Sequence, residues 1–147
     1  MDSEILADML DTIRVEDCGV ESVTIIRNGY MVLDAYFSPF GPKSRHEICS
    51  ATKSIISALI GIAIDEGYIE SVDQSILSFF PERTVANLDA NKEAMTLEHV
   101  LTMSTGWACE DHPDVCDRQM WQTEDWVQFV LDMPVVAAPG TRSQYQN

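Results

Sequence analysis

Apolar residues recur with helical spacing at Ile5, Leu6, Met9, Leu10 and Ile13, which predicts an amphipathic helix over residues 5–16. The pattern then changes. "VESVTIIRNGYMVLDAYF", residues 20–37, is rich in β-branched and aromatic residues and is interrupted only by Asn28-Gly29. Asn-Gly between two such runs is the strongest short-range hairpin signal, so two antiparallel strands are expected here. "SPFGP", residues 38–42, follows as a loop. The next segment, "ICSATKSIISALIGIAIDEG" (residues 48–67), has apolar residues on nearly every helical face, the pattern of a helix buried on most sides. Ser50 is a preferred N-cap residue, and Gly67 is suited to a left-handed C-cap. The segment is too short and too polar at its start to span a membrane.

The remaining chain reads as helical scaffold. Short helices are expected over Ser71–Phe80 and Thr96–Met103, the second capped by Thr96 and stopped before Gly106. Thr123 is placed to cap a further helix with Trp126, Phe129, Val130 and Met133 on its apolar side, and Pro134 to end it. No repeat, low-complexity tract or interdomain linker is visible. The fold class is α+β: helices with an N-terminal hairpin.

Composition adds exclusions. A hydrophobic content of 46% permits a core, and a net charge of −15 argues against nucleic acid or an anionic membrane surface as partner. "MDSEILADML" starts acidic and has no basic n-region of a signal peptide, so a cytoplasmic location is expected. Cys18, Cys49, Cys109 and Cys116 do not have zinc-module spacing. Cys109 and Cys116 flank "EDHPDV", which leaves three readings: a local disulfide, a metal site with His112, or an acidic loop with two thiols. Cys49 is expected as a small core residue. No metal and no cofactor are expected.

One cation stands inside the long apolar segment. From Ile48 to Ile64 the only charge is Lys53, one helical turn after Ser50. An ammonium in a buried helix is costly unless it has a use. A desolvated lysine loses basicity and can serve as a base toward a serine hydroxyl, while the helix N-terminus favours developing negative charge. The alternative is a capping serine and a lysine that snorkels to solvent. On this segment alone both readings stand.

The C-terminal "PGTRSQYQN" brings in Tyr145 and Asn147 as a Tyr-x-Asn pair. With "SATKS", "GIAIDEGYI", "SVDQSILSFFPE", "MTLEHVLTMSTGW" and "PVVAAPGTRSQYQN" in this order, the chain resembles the serine beta-lactamase-related superfamily. The nearest branch looks like class C beta-lactamases, D-alanyl-D-alanine carboxypeptidases, related esterases and 6-aminohexanoate-dimer hydrolases. The resemblance implies an α/β sandwich of the beta-lactamase/transpeptidase-like type. It implies Ser50 as acylated nucleophile, Lys53 as the lysine that helps deprotonate it, and Tyr145 as proton shuttle to the leaving group. Asn147 matches the asparagine that binds the substrate amide, and the Ser50 N–H would form half of an oxyanion hole. The substrate would be a small-molecule ester or amide, including a beta-lactam; the oligomeric state stays open. The family's third motif, a Lys-Thr-Gly or His-x-Gly triplet on a later strand, has no match among these residues. Gln146 replaces a common serine and Gln144 a common aromatic. The expectation is an incomplete domain over 1–147, lacking the C-terminal strands of the sheet and active in a longer or complemented form. The competing expectation is an inactive remnant or a binding module of the same fold.

Overall fold

The computed structural model describes residues 2–109 and 113–146. It divides into two compact units, one ending at Ile48 and one beginning at Cys49.

The first unit holds helix α1 (Ser3–Val15) and strands β1 (Ser22–Arg27) and β2 (Tyr30–Tyr36). The Asp2 carboxylate caps α1 by accepting the Glu4 N–H at 2.9 Å. Leu6, Met9, Leu10 and Ile13 are half-buried at the expected spacing, while Ile5 is exposed. The strands pair antiparallel from Ser22↔Tyr36 to Arg27↔Tyr30. Asn28 and Gly29 both have positive φ, 51° and 79°, as a tight turn that follows the strand twist requires. The register steps between Ile25↔Leu33 and Ile26↔Met31, so Val32 is the extra residue of a bulge. Directly across the ladder, the Thr24 hydroxyl donates to Asp34 at 2.9 Å. The loop after β2 folds back, with the His46 ring against the Glu21 carboxylate and the Phe40 ring.

The second unit opens with α2 (Ala51–Asp65) and continues with a 3-10 turn (Ile76–Phe79), α3 (Ala90–Glu93), α4 (Leu97–Leu101), α5 (Pro113–Trp121) and α6 (Trp126–Asp132). Gly67, at φ 77°, ends α2 as expected. Its N–H bonds the Ile64 carbonyl at 3.0 Å and the Tyr68 N–H bonds the Ala63 carbonyl at 2.8 Å, the two bonds of a Schellman motif. Among the described residues no helix is long and apolar enough to cross a membrane.

Several sequence expectations are corrected here. The helix α2 forms, but it carries no buried residue: Ile55, Ile56, Leu59 and Ile62 are 48–56% exposed. Its pattern records a helix built to be covered, and its own unit covers it only in part, leaving Lys53, Ile60, Ala63 and Ile64 half-buried. Cys49 is exposed rather than in a core. Residues 71–80 form only a 3-10 turn, because Ile76 N–H and Leu97 N–H are drawn into bonds with the Met95 and Gln74 carbonyls around a Ser75↔Thr96 bridge. The helix after Thr96 is shorter than expected, with the Thr96 N–H bonded to His99 Nδ1 at 3.0 Å. The cap of α6 is Asp125, which accepts the Gln128 N–H at 2.9 Å; Thr123 instead closes a turn onto the Met120 carbonyl. Cys109 and Cys116 form a disulfide, so neither sulfur is a thiolate for a metal, and α5 starts at Pro113 where a loop was expected. His112, the third residue of that metal reading, lies outside the described residues.

The core of this unit is made by Leu97 of α4 and Leu131 of α6 with Met95 and Cys109 from the connecting segments, all buried. Lys92 is buried among them and only 2% exposed. Its ammonium donates to the Ala86 and Leu131 carbonyls, both at 2.7 Å. Around it, Asp132 accepts the Ala86 N–H at 2.7 Å and Gln128 donates to the Thr84 carbonyl at 2.9 Å. Lys92 thus acts as an internal pin between the 84–89 loop and the C-terminal end of α6, where a cation also meets the favourable end of the helix dipole.

Candidate active site

Three of the four site residues proposed from sequence, Ser50, Lys53 and Tyr145, come together at the start of α2. Cys49 adopts φ 43°, a left-handed conformation that costs a non-glycine residue energy. It turns the chain abruptly so that Ser50 leads into the helix. Ser50 occupies the N-cap position without capping: its side chain makes no bond to the first-turn N–H groups. The expected cap is therefore absent, and the hydroxyl is engaged elsewhere. Lys53 donates from Nζ to Ser50 Oγ at 3.2 Å, and Ser50 Oγ shares a hydrogen bond with the Tyr145 hydroxyl. Lys53 Nζ also lies 5.1 Å from the centre of the Tyr145 ring, within cation–π range.

Tyr145 reaches Ser50 across 95 positions of sequence because the C-terminal segment is laid along residues 103–108. Four N–H···O bonds of 2.8 Å do this: Ala108 to Pro134, Val136 to Gly106, Gly140 to Ser104, and Gln144 to Met103. Gly106 is indispensable to the ladder. Its φ is 74°, and a Cβ there would stand 2.1 Å from the Ala137 carbonyl oxygen.

The electrostatics follow from these contacts. The Tyr145 phenol is held below its ordinary range, first by the hydrogen bond with Ser50 and then by the hydrogen bond and positive charge of Lys53; Asp117 opposes them. Ser50 is exposed and Lys53 half-buried. The desolvation expected of a buried helix start is thus not supplied by the described residues; what they supply is contact among three polar groups. Asn147 lies outside the described residues.

Beside Lys53 is a cavity of about 370 Å³, lined by Ile56, Val100, Leu101, Met103, Trp107 and Gln146, among others. It is largely apolar with a few polar side chains in its lining, Lys53 and Gln146 among them, the common form of a small-molecule site. A larger cavity of about 510 Å³ lies along α5 and α6 and contains none of Ser50, Lys53 or Tyr145. Volume alone does not make a site, and we take the smaller one, where the chemistry is. Sequence reading noted Gln144 only as standing where an aromatic is common and gave it no role; it donates from Nε2 to the Cys109 carbonyl next to the disulfide. Its position between the motif and the preceding turn was the available signal.

Comparison with known proteins points to a family. A family model described as Beta-lactamase matches residues 13–147. A 6-aminohexanoate-dimer hydrolase from Paenarthrobacter ureafaciens is 29% identical over 69 residues, which is 47% of this chain and 17% of that protein. The chain thus matches only a small part of that relative's length.

Proposed function

The chain belongs to the beta-lactamase family, and on that premise we propose that it is a serine hydrolase in which Ser50 is acylated by an ester or amide substrate. The observation that supports this best is the double engagement of Ser50 Oγ by Lys53 and Tyr145. A serine hydroxyl needs a base before it attacks a carbonyl. With Lys53 donating to Oγ, the serine proton is directed at the Tyr145 oxygen. The lysine charge favours the phenolate, and a phenolate can accept that proton. Attack by Oγ then forms the tetrahedral intermediate. The Ser50 N–H, at the positive end of α2, is assigned as one oxyanion donor. Tyr145 returns the proton to the departing alcohol or amine, and water releases the acid from the acyl-enzyme. Asn147 is assigned to the substrate amide. The relative's name makes a 6-aminohexanoate dimer a natural first substrate to try, beside simple esters and a beta-lactam.

The test is covalent labelling of the full-length protein with a serine-reactive phosphonate, read by intact mass. Wild type gains one adduct and Ser50→Ala gains none. Equal labelling of both overturns the assignment.

A further inference from the structure

The Cys109–Cys116 disulfide is joined to the candidate nucleophile by a short series of contacts. Cys109 is buried, and its sulfur is tied to Cys116 in α5. Its carbonyl accepts the Gln144 side-chain N–H. Gln144 is held a second time by its backbone N–H on the Met103 carbonyl at 2.8 Å. The next residue is Tyr145, which is half-exposed and whose hydroxyl bonds Ser50. Gln144 is therefore the last anchor before the phenol. Of its two holds, one depends on where the Cys109 carbonyl stands. On its N-terminal side that carbonyl is fixed by the Ala108 and Cys109 N–H bonds, to Pro134 at 2.8 Å and Trp107 at 2.9 Å. Beyond it, the disulfide supplies the covalent tie to a helix.

We propose that Gln144 is a positioning residue for Tyr145, and that the Cys109–Cys116 disulfide, by fixing the carbonyl that Gln144 binds, makes acylation of Ser50 sensitive to thiol reductants. The inference rests on the hydrolase reading above. The chemical change is a two-electron reduction. A dithiol gives two electrons and two protons, the S–S bond breaks to leave thiols at Cys109 and Cys116, and the dithiol closes to its own cyclic disulfide. Cys18 and Cys49 are free thiols before and after, so they do not contribute to the difference. Loss of the tie loosens the Cys109 carbonyl on the side of α5, Gln144 keeps one firm anchor of two, and the phenol drifts from Ser50 and Lys53. Misplacing a reacting group by about 1 Å costs on the order of 100-fold in rate, so acylation should slow by about 10- to 100-fold.

The experiment uses the full-length protein, air-oxidised or treated with dithiothreitol, and reads two signals. The first is the ultraviolet titration of the Tyr145 phenol, taken as wild type minus Tyr145→Phe. The groups that act on that phenol are Ser50, Lys53 and, in the opposite sense, Asp117. In the oxidised protein it should ionise below the ordinary tyrosine range, and on reduction it should return toward that range. This signal does not need Ser50 to be catalytic. The second is the rate of phosphonate labelling. Gln144→Ala should reproduce both effects in the oxidised protein and be insensitive to dithiothreitol. Absence of labelling in both redox states sinks the hydrolase reading, while the titration still decides the positioning. A phenol titration unchanged by reduction and by Gln144→Ala overturns the proposal. So does loss of the helical circular-dichroism signal on reduction, because the effect would then be unfolding rather than a shift passed through Gln144.

Discussion

Lys53 and Tyr145 both touch Ser50 Oγ, and their removal should have different kinetic signatures. Lys53→Met keeps the length and apolar stem but removes the charge. Without that charge the Tyr145 phenolate is no longer favoured, and loss of general-base catalysis typically costs about 10²–10⁴-fold, so acylation should fall by up to that amount while the thermal melt stays near wild type. The pH profile separates the roles further. The Tyr145 phenol is lowered, so its ionised fraction, and with it the acylation rate, should rise with pH on a limb that lies below the ordinary tyrosine range. In Lys53→Met that limb should move up toward the ordinary range, and in Tyr145→Phe it should vanish. A limb unmoved by Lys53→Met would mean that the lysine charge does not act on the phenol.

At the scale of elements, the contact between Ser50 and Tyr145 is a product of the ladder along residues 103–108. Gly106→Ala should break it. The left-handed backbone alone costs about 1–3 kcal/mol for a non-glycine residue, and the collision with the Ala137 carbonyl adds to that. The expected result is a lowered melting temperature together with a loss of Ser50 labelling. Unchanged labelling would show that Tyr145 is held by other means. The Lys92 pin makes a second prediction. Burial lowers the Lys92 pKa, against the raising effect of Asp132 and Asp89. A depressed lysine is a cost to folding that is relieved, not added to, as pH rises through its folded value. Alkali should therefore not weaken the fold through this group. Lys92→Met, however, removes the donor to the buried Leu131 carbonyl and to the carbonyl of exposed Ala86; the buried one is worth about 1–3 kcal/mol when orphaned, and water can replace the donor at the other. Part of this is offset by removing a buried charge, so a net loss of no more than that is expected in urea titrations.

For the molecule as a whole, the dominant fact is the uncovered apolar surface of α2. The hairpin shows the same feature in its own unit, with Ile26, Tyr30 and Met31 exposed. Contiguous apolar patches of this kind drive association, and the net charge of −15 resists it by self-repulsion. Residues 1–147 expressed by themselves should therefore bind an apolar dye and associate with increasing concentration. Added salt should increase the association, because screening removes the repulsion and leaves the apolar attraction. Light scattering over a salt series measures this. A dye-silent monomer at all salt concentrations would show that the patch is closed by an arrangement other than the one described.

Features governed by neighbours in sequence were legible without coordinates. Asn28-Gly29 dictates a hairpin because both residues tolerate positive φ, and Gly67 ends α2 for the same reason. Ser50 and Lys53 meet because three residues make one helical turn. The periodicity of α1 states which of its residues turn inward. The rest depended on contacts distant in sequence. α3 is a single turn, and α5, with the sequence PDVCDRQMW, is longer than α6 but has too few apolar residues to mark a face. Asp125, not Thr123, caps α6; both are good capping residues, and the choice falls to tertiary contact, with Arg83 also bonding Asp125 at 2.7 Å. Sequence showed that α2 is apolar on nearly every side but could not show what covers it, since the pattern records the demand for burial and not its partner. Only the fold joined Cys109 to Cys116, set Lys92 between two carbonyls and brought Tyr145 to Ser50. Each of those contacts is specified by a backbone path, and a backbone path is the sum of many local choices that no single stretch of sequence contains.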